Sequence, residues 1–87
     1  MYKNRYGQRN NICGSKLISF RSQHEPPLSQ RALADKMQLA GVDLDKNAIQ
    51  RIESGERFVT DIELRTLAAI FHTTADALLQ DPKPEEN

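Results

Sequence analysis

Residues 44–55 read LDKNAIQRIESG, and the spacing of the apolar members of this stretch decides the fold. Successive residues of a helix lie about 100° apart, so Ile49 and Ile52, flanked by Ala48, share one side. Lys46, Asn47, Gln50, Arg51 and Ser54 fan over the opposite side. Asp45 suits the N-cap, because its carboxylate can accept an orphan backbone N–H of the first turn. Leu44 and Ile49 stand where a hydrophobic staple would close the entry, and Gly55 suits the stop. The stretch predicts a short helix over about 45–54, apolar beneath and polar above.

The same period recurs on both sides of it. Upstream, Cys13, Leu17 and Phe20 fall on one face of a helix expected over about 12–22. Pro26 and Pro27 then forbid helix and hold Glu25 extended. Ser29 is an N-cap for a second helix that buries Leu33, Ala34 and Met37, with Leu28 and Leu33 as its staple and Gly41 as a stop. Ala32 occupies the position where a capping-box glutamate would stand. Downstream, Thr60 and Glu63 form a capping box for a fourth helix with the stripe Leu64, Leu67, Ala68 and Phe71. Thr74 caps a last short helix that ends in Leu78 and Leu79 before Pro82. No strand alternation and no internal repeat is evident. The expectation is an all-α, compact five-helix domain over 11–80. A flexible basic segment is expected over 1–10 and a flexible acidic tail over 81–87.

Composition narrows the function classes. With 38% hydrophobic and 28% charged residues the chain is globular, and its 87 residues support one modest core. A binding module is favoured over a two-substrate enzyme with its own scaffold. No apolar run approaches the ~18 residues of a membrane span, and the opening MYKNRYGQRNN has no apolar signal-peptide core. One cysteine, Cys13, cannot form an internal disulfide and is too few for a zinc site. Net charge is zero, yet its distribution is uneven. Residues 1–36 carry seven Lys or Arg against two acids, 7 − 2 = +5; residues 37–87 carry five against ten, 5 − 10 = −5. Such a dipolar chain can turn a basic face to a polyanion, although a solvated surface with chance asymmetry would look alike.

The polar side of the third helix is the most informative feature. Arg or Lys can donate to guanine O6 and N7, and Asn or Gln can pair bidentately with adenine. A B-DNA major groove, roughly 12 Å wide, admits one helix. Capped N-termini of the second and third helices would add free N–H groups and a positive dipole end for phosphate. An exposed polar helix in a plain bundle has the same underside, so the face alone leaves both readings open.

The order of residues resembles a family. Ser29-Gln30-x-x-Leu33-Ala34-x-Lys36-Met37, Ile49-x-x-Ile52-Glu53-Ser54-Gly55-x-Arg57, Leu64-x-x-Leu67-Ala68 and Thr74-x-Asp76-x-Leu78-Leu79 are similar to the lambda-repressor/Cro-type (XRE-type) helix-turn-helix transcription regulators. Cys13-Gly14-x-x-Leu17-x-x-Phe20-Arg21 resembles that family's first helix, so the likeness spans residues 13–79. It implies sequence-specific binding of double-stranded DNA, with Lys46, Asn47 and Arg51 reading bases and Gln50 assisting. It implies phosphate contact at Ser29 and Gln30 and at the Ser54–Arg57 loop, and a structural ion pair between Arg21 and Glu53.

Two departures from the pattern stand out. Between Lys36 and Glu53 the chain is about five residues longer than the family spacing, against a turn of roughly 3–4 residues. Either the second helix runs on through Leu39, or a longer loop is packed by Leu39, Val42 and Leu44. A smaller insertion lengthens the turn around Glu25–Pro27. Glu56 also stands where a basic residue is common.

The remaining residues do not converge on catalysis. Cys13 lies on an apolar face, where cysteine is an inert small hydrophobe, and His24 and His72 lack metal-ligand spacing to a partner. No enzyme activity, cofactor, metal or small-molecule ligand is expected. One recognition helix covers few base pairs, so a homodimer on a palindromic operator is expected, joined through Thr74–Leu79 and the fourth helix. Repression by occluding promoter DNA, in a bacterial or phage cytoplasm at the nucleoid, is the implied role. A protein-interaction module or an antitoxin-type autoregulator on the same fold is the rival.

Overall fold

The structure, a computed structural model, describes residues 5–80; the expected acidic tail and the first four residues of the basic segment lie outside them. Five helices follow in order: α1 (Gly14–Gln23), α2 (Gln30–Leu39), α3 (Lys46–Ser54), α4 (Asp61–Ile70) and α5 (Ala75–Leu79). No strand occurs among the described residues beyond an isolated bridge between Tyr6 and Arg9. No described helix is long and apolar enough to cross a membrane.

Side-chain caps set most of the boundaries. Ser29, Asp45, Thr60 and Thr74 each accept the backbone N–H three residues on, and Thr60 with Glu63 completes a reciprocal capping box. α1 begins two residues later than the apolar period suggests. Asn11 Oδ1 accepts from Gly14 N at 2.9 Å, and that side-chain bond does the work of a helical turn.

α3 lies at the centre. It packs on α1 and α2, while α4 packs on α2 and α5. Leu17, Leu33, Met37, Ile49, Ile52, Leu67 and Leu78 are fully buried between these elements. Each such side chain contributes roughly 1.5–3 kcal/mol by leaving water. Phe20 of α1 stacks on Phe71, ring centroids 5.4 Å apart, and so ties α1 to the end of α4.

The lengthened connection combines both alternatives. α2 runs on through Leu39, and a loop then turns at Gly41, whose φ of +90° favours glycine. Val42 N–H donates to Met37 O at 2.9 Å, and Gln38 Nε2 to Leu44 O at 3.0 Å. Leu44 is buried and Val42 packs against the core, but Leu39 is 88% exposed. Leu39 is therefore no part of the packing: at two residues past Met37 it lies about 160° round the helix from it.

Residues within the segment expected to be loose are docked. Arg9 and Asn10 bond to the stretch that ends α3, so the boundary drawn at residue 10 does not separate a free arm from the domain.

Candidate nucleic-acid interface

Asp45 Oδ1 accepts from Ala48 N at 2.8 Å and starts α3, and Gly55, with φ of +90°, ends it. Between those caps Ala48, Ile49, Ile52 and Glu53 are buried, while Lys46, Asn47, Gln50, Arg51 and Ser54 are exposed. No hydrogen bond or ion pair to another described residue occupies the side chains of Lys46, Asn47, Gln50 or Arg51. The expected base-reading set thus shares one free face.

The underside is locked by more than apolar contact. Glu53 receives Arg21 Nε at 2.6 Å on Oε2 and Arg21 Nη2 at 2.9 Å on Oε1. Gln30 Nε2 adds a bond to Oε1 at 2.8 Å, and Arg21 Nη1 donates to Leu28 O at 2.9 Å. One carboxylate therefore fixes α1, the entry to α2 and α3 to one another. The ion pair implied by the resemblance is present.

A cleft of about 380 Å³ opens between α2 and α3, lined by Arg31, Ala34, Asp35, Gln38, Asp45, Lys46 and Asn47. Arg31 thereby joins Lys46 and Asn47, a neighbour that the reading of the third helix alone did not include. Asp35 and Asp45 give the same cleft an acidic side.

The expected phosphate-contacting residues are less uniform. Ser29 is exposed at the start of α2, its Oγ accepting from Ala32 N at 2.9 Å. Gln30 has its amide nitrogen on Glu53, and the Ser54 hydroxyl donates to Arg51 O at 3.1 Å. Arg57 is held bidentately by Glu63, at 2.9 and 3.1 Å, and also donates to Phe58 O. In the loop, Glu56 N and Arg57 N both donate to Arg51 O, so these N–H groups are engaged. Glu56 itself is exposed.

Electrostatics follow from these contacts. The hydrogen bonds that Arg57 donates to the Glu63 carboxylate hold its guanidinium above its usual pKa. Burial alone would raise Glu63, but bonds from Arg57 and Thr60 outweigh it and hold the carboxyl below its ordinary value. Cys13 is 1% exposed, and burial pushes its thiol up to about 11, so it stays protonated at neutral pH. His24 Nδ1 lies 2.8 Å from Pro26 O, and His72 follows α4 with φ of 55°.

The residues that sequence reasoning missed are those just before α1. Asn11 Nδ2 donates to Ile52 O and Arg57 O, and Asn10 donates to Gly55 O and Glu56 O. The one available signal was Asn11 itself, three residues before Gly14, the spacing of an N-cap side chain and its N–H partner. No protein-family model, curated protein or solved structure matches this chain.

Proposed function

We propose that this chain is a sequence-specific binder of double-stranded DNA and a small transcription regulator of the lambda-repressor-like helix-turn-helix kind, with α2 and α3 as its two helices. The observation that carries the reading is the split of α3. Its apolar and Glu53 side is fixed to α1 and α2, while Lys46, Asn47, Gln50 and Arg51 stand free on the other. A rigid helix with unspent donors and acceptors on its outer face is what base-edge readout in the major groove requires.

Ser29 serves phosphate best, being exposed at a helix start; Arg31 and Lys46 line the cleft beside it and supply charge. Binding needs no cofactor and no reaction, and repression follows from occluding a promoter. A second copy is expected on a palindromic site. Leu79 is 42% and Phe58 50% exposed, and both border one open groove with Tyr6, Ile12, Val59 and Leu64. A two-fold dimer joined there would serve a palindromic site if its two α3 helices stand about one DNA turn apart.

Selection of bound fragments from random duplex DNA, followed by mobility-shift titration at two salt concentrations, tests the proposal. A two-fold motif and weakening with salt are expected. Recovery of no motif, with salt-independent capture of a protein, favours the interaction module; a two-fold motif together with a captured protein favours the antitoxin-type autoregulator. That rival draws on Asp35 and Asp45 in the α2–α3 cleft and on the neutralised Arg57.

A further inference from the structure

We infer that Arg9, which lies outside the helices altogether, is a positioning residue for α3 and thereby sets how sharply its outer face discriminates between sequences. This rests on the DNA-binding reading of α3. Tyr6 and Arg9 exchange backbone hydrogen bonds at 2.8 and 2.9 Å, closing a tight loop through Gly7. The loop presents the Arg9 guanidinium to the end of α3. Nη2 donates to Glu53 O at 2.9 Å and Ile52 O at 3.3 Å, and Nε donates to Asn11 O at 3.3 Å.

Glu53 O and Ile52 O are carbonyls of the last turn of α3, at the negative end of the helix dipole; Glu53 O lacks an intrahelical partner, while Ile52 O also accepts from Gly55 N. A guanidinium there answers both the missing donors and the charge. Asn10 and Asn11 continue the clasp along the carbonyls of Gly55, Glu56 and Arg57.

The fit leaves little freedom. A Cβ on Gly55 would come within 2.9 Å of Arg9 Cγ and 3.0 Å of its Cζ. A Cβ on Gly14 would collide with Ile52 O and with Arg9 Nη2. Both glycines therefore make room for the Arg9 side chain, and Gly14 also for the Ile52 carbonyl. Arg51 precedes Ile52 directly, and its own carbonyl accepts Glu56 N and Arg57 N from the clasped loop. Arg9 thus acts on the segment that holds Arg51, while the Glu53 carboxylate fixes the helix from the side. A reading helix supported at one end only would retain its fold and lose accuracy at the groove.

The test compares Arg9→Ala and Arg9→Lys with the unaltered chain on two probes: a duplex selected by that chain from a random library, and random duplex DNA. Helicity and melting are recorded alongside. With the domain folded, Arg9→Ala is expected to lower the ratio of selected to random affinity about tenfold, at an unchanged salt slope. Arg9→Lys should recover part of the ratio, because an ammonium retains donors and charge. An unchanged ratio in a folded Arg9→Ala overturns the inference and leaves the DNA reading intact. Equal loss on both probes with a slope lower by about one also overturns it, since Arg9 would then be touching phosphate. If Arg9→Ala does not fold, the same two readouts on Arg9→Lys and on neutral Arg9→Gln decide. An unaltered chain with no preference for any duplex removes the DNA reading and this inference together.

Discussion

Glu53 and Arg21 are joined by two parallel hydrogen bonds, 2.6 and 2.9 Å, with side chains only 6% and 17% exposed. The contact links α1 to α3 through residues 32 apart in sequence and lies beneath the free face of α3. Removing one partner strands the other charge in a dry setting, at a cost of about 3–5 kcal/mol. Glu53→Ala is therefore expected to melt far below the unaltered chain, and the loss falls on stability before it falls on base choice. Thermal unfolding checks this, and a normal melting temperature for Glu53→Ala would refute it.

Arg51 and Gln30 separate readout from support. Arg51 is exposed and its side chain is free, so Arg51→Ala should keep its stability within about 0.5 kcal/mol. It should lose about 1–3 kcal/mol on the selected duplex and relax choice at one base. Gln30→Ala forfeits a bond to Glu53 and should cost about 1 kcal/mol of stability; through the phosphate contact expected of it, the loss of affinity should be alike on all duplexes. Titration of both variants on selected and random duplexes distinguishes them. Equal loss of specificity in the two would contradict these roles.

Arg57 and Glu63 give the domain an acid-sensitive tie. Glu63 titrates below its ordinary value of 4.5 in the folded chain, so folding favours the charged form. The stability it brings is present above that ordinary value and is lost as pH falls through the lower, folded one. Unfolding followed from pH 7 down to pH 3 (values of the order of those spanning a carboxylate titration) should show this acid limb. Glu63→Gln should flatten it while lowering stability at neutral pH. An acid limb of equal slope in Glu63→Gln would show that other carboxylates carry it.

The helices and the free face were legible because they follow from local chemistry. Caps at Ser29, Asp45, Thr60 and Thr74 and the apolar periods of α2, α3 and α4 all lie within a few residues of one another in the chain. The fate of the phosphate set was not, since Arg57 finds Glu63 only after the loop folds back on α4. Arg9 meets α3 across 43 and 44 residues, and neither periodicity nor capping reports a contact of that range. The free arginines of a sequence are candidates for a ligand; the fold decides which of them are already spent.

Leu39 and Leu44 sit at opposite ends of the lengthened α2–α3 connection and should respond differently. Leu44 is 2% exposed, and Leu44→Ala should cost about 2–5 kcal/mol through lost burial and the cavity left behind. Leu39 is 88% exposed, so Leu39→Lys should shift stability by no more than about 0.5 kcal/mol. Chemical denaturation of the two variants checks the pair. A large loss in Leu39→Lys would mean that this side chain is covered in solution, by a second copy or by a partner.

His72 holds a left-handed conformation, φ of 55°, immediately after the C-cap of α4. Its N–H donates to Ala69 O at 3.1 Å and that of Thr73 to Ala68 O at 2.9 Å, so the turn closes the helix through the backbone. Only glycine enters that region without a steric cost, which for other residues is about 1–2 kcal/mol. Glycine also gives the unfolded chain more freedom, and this offsets part of the gain. His72→Gly is therefore expected to raise stability by about 0.5–1 kcal/mol, whereas branched His72→Val should lower it. Denaturation midpoints of the two variants beside that of the unaltered chain check this. A backbone origin predicts opposite signs for glycine and valine at this one position, and a loss of stability in both would overturn it.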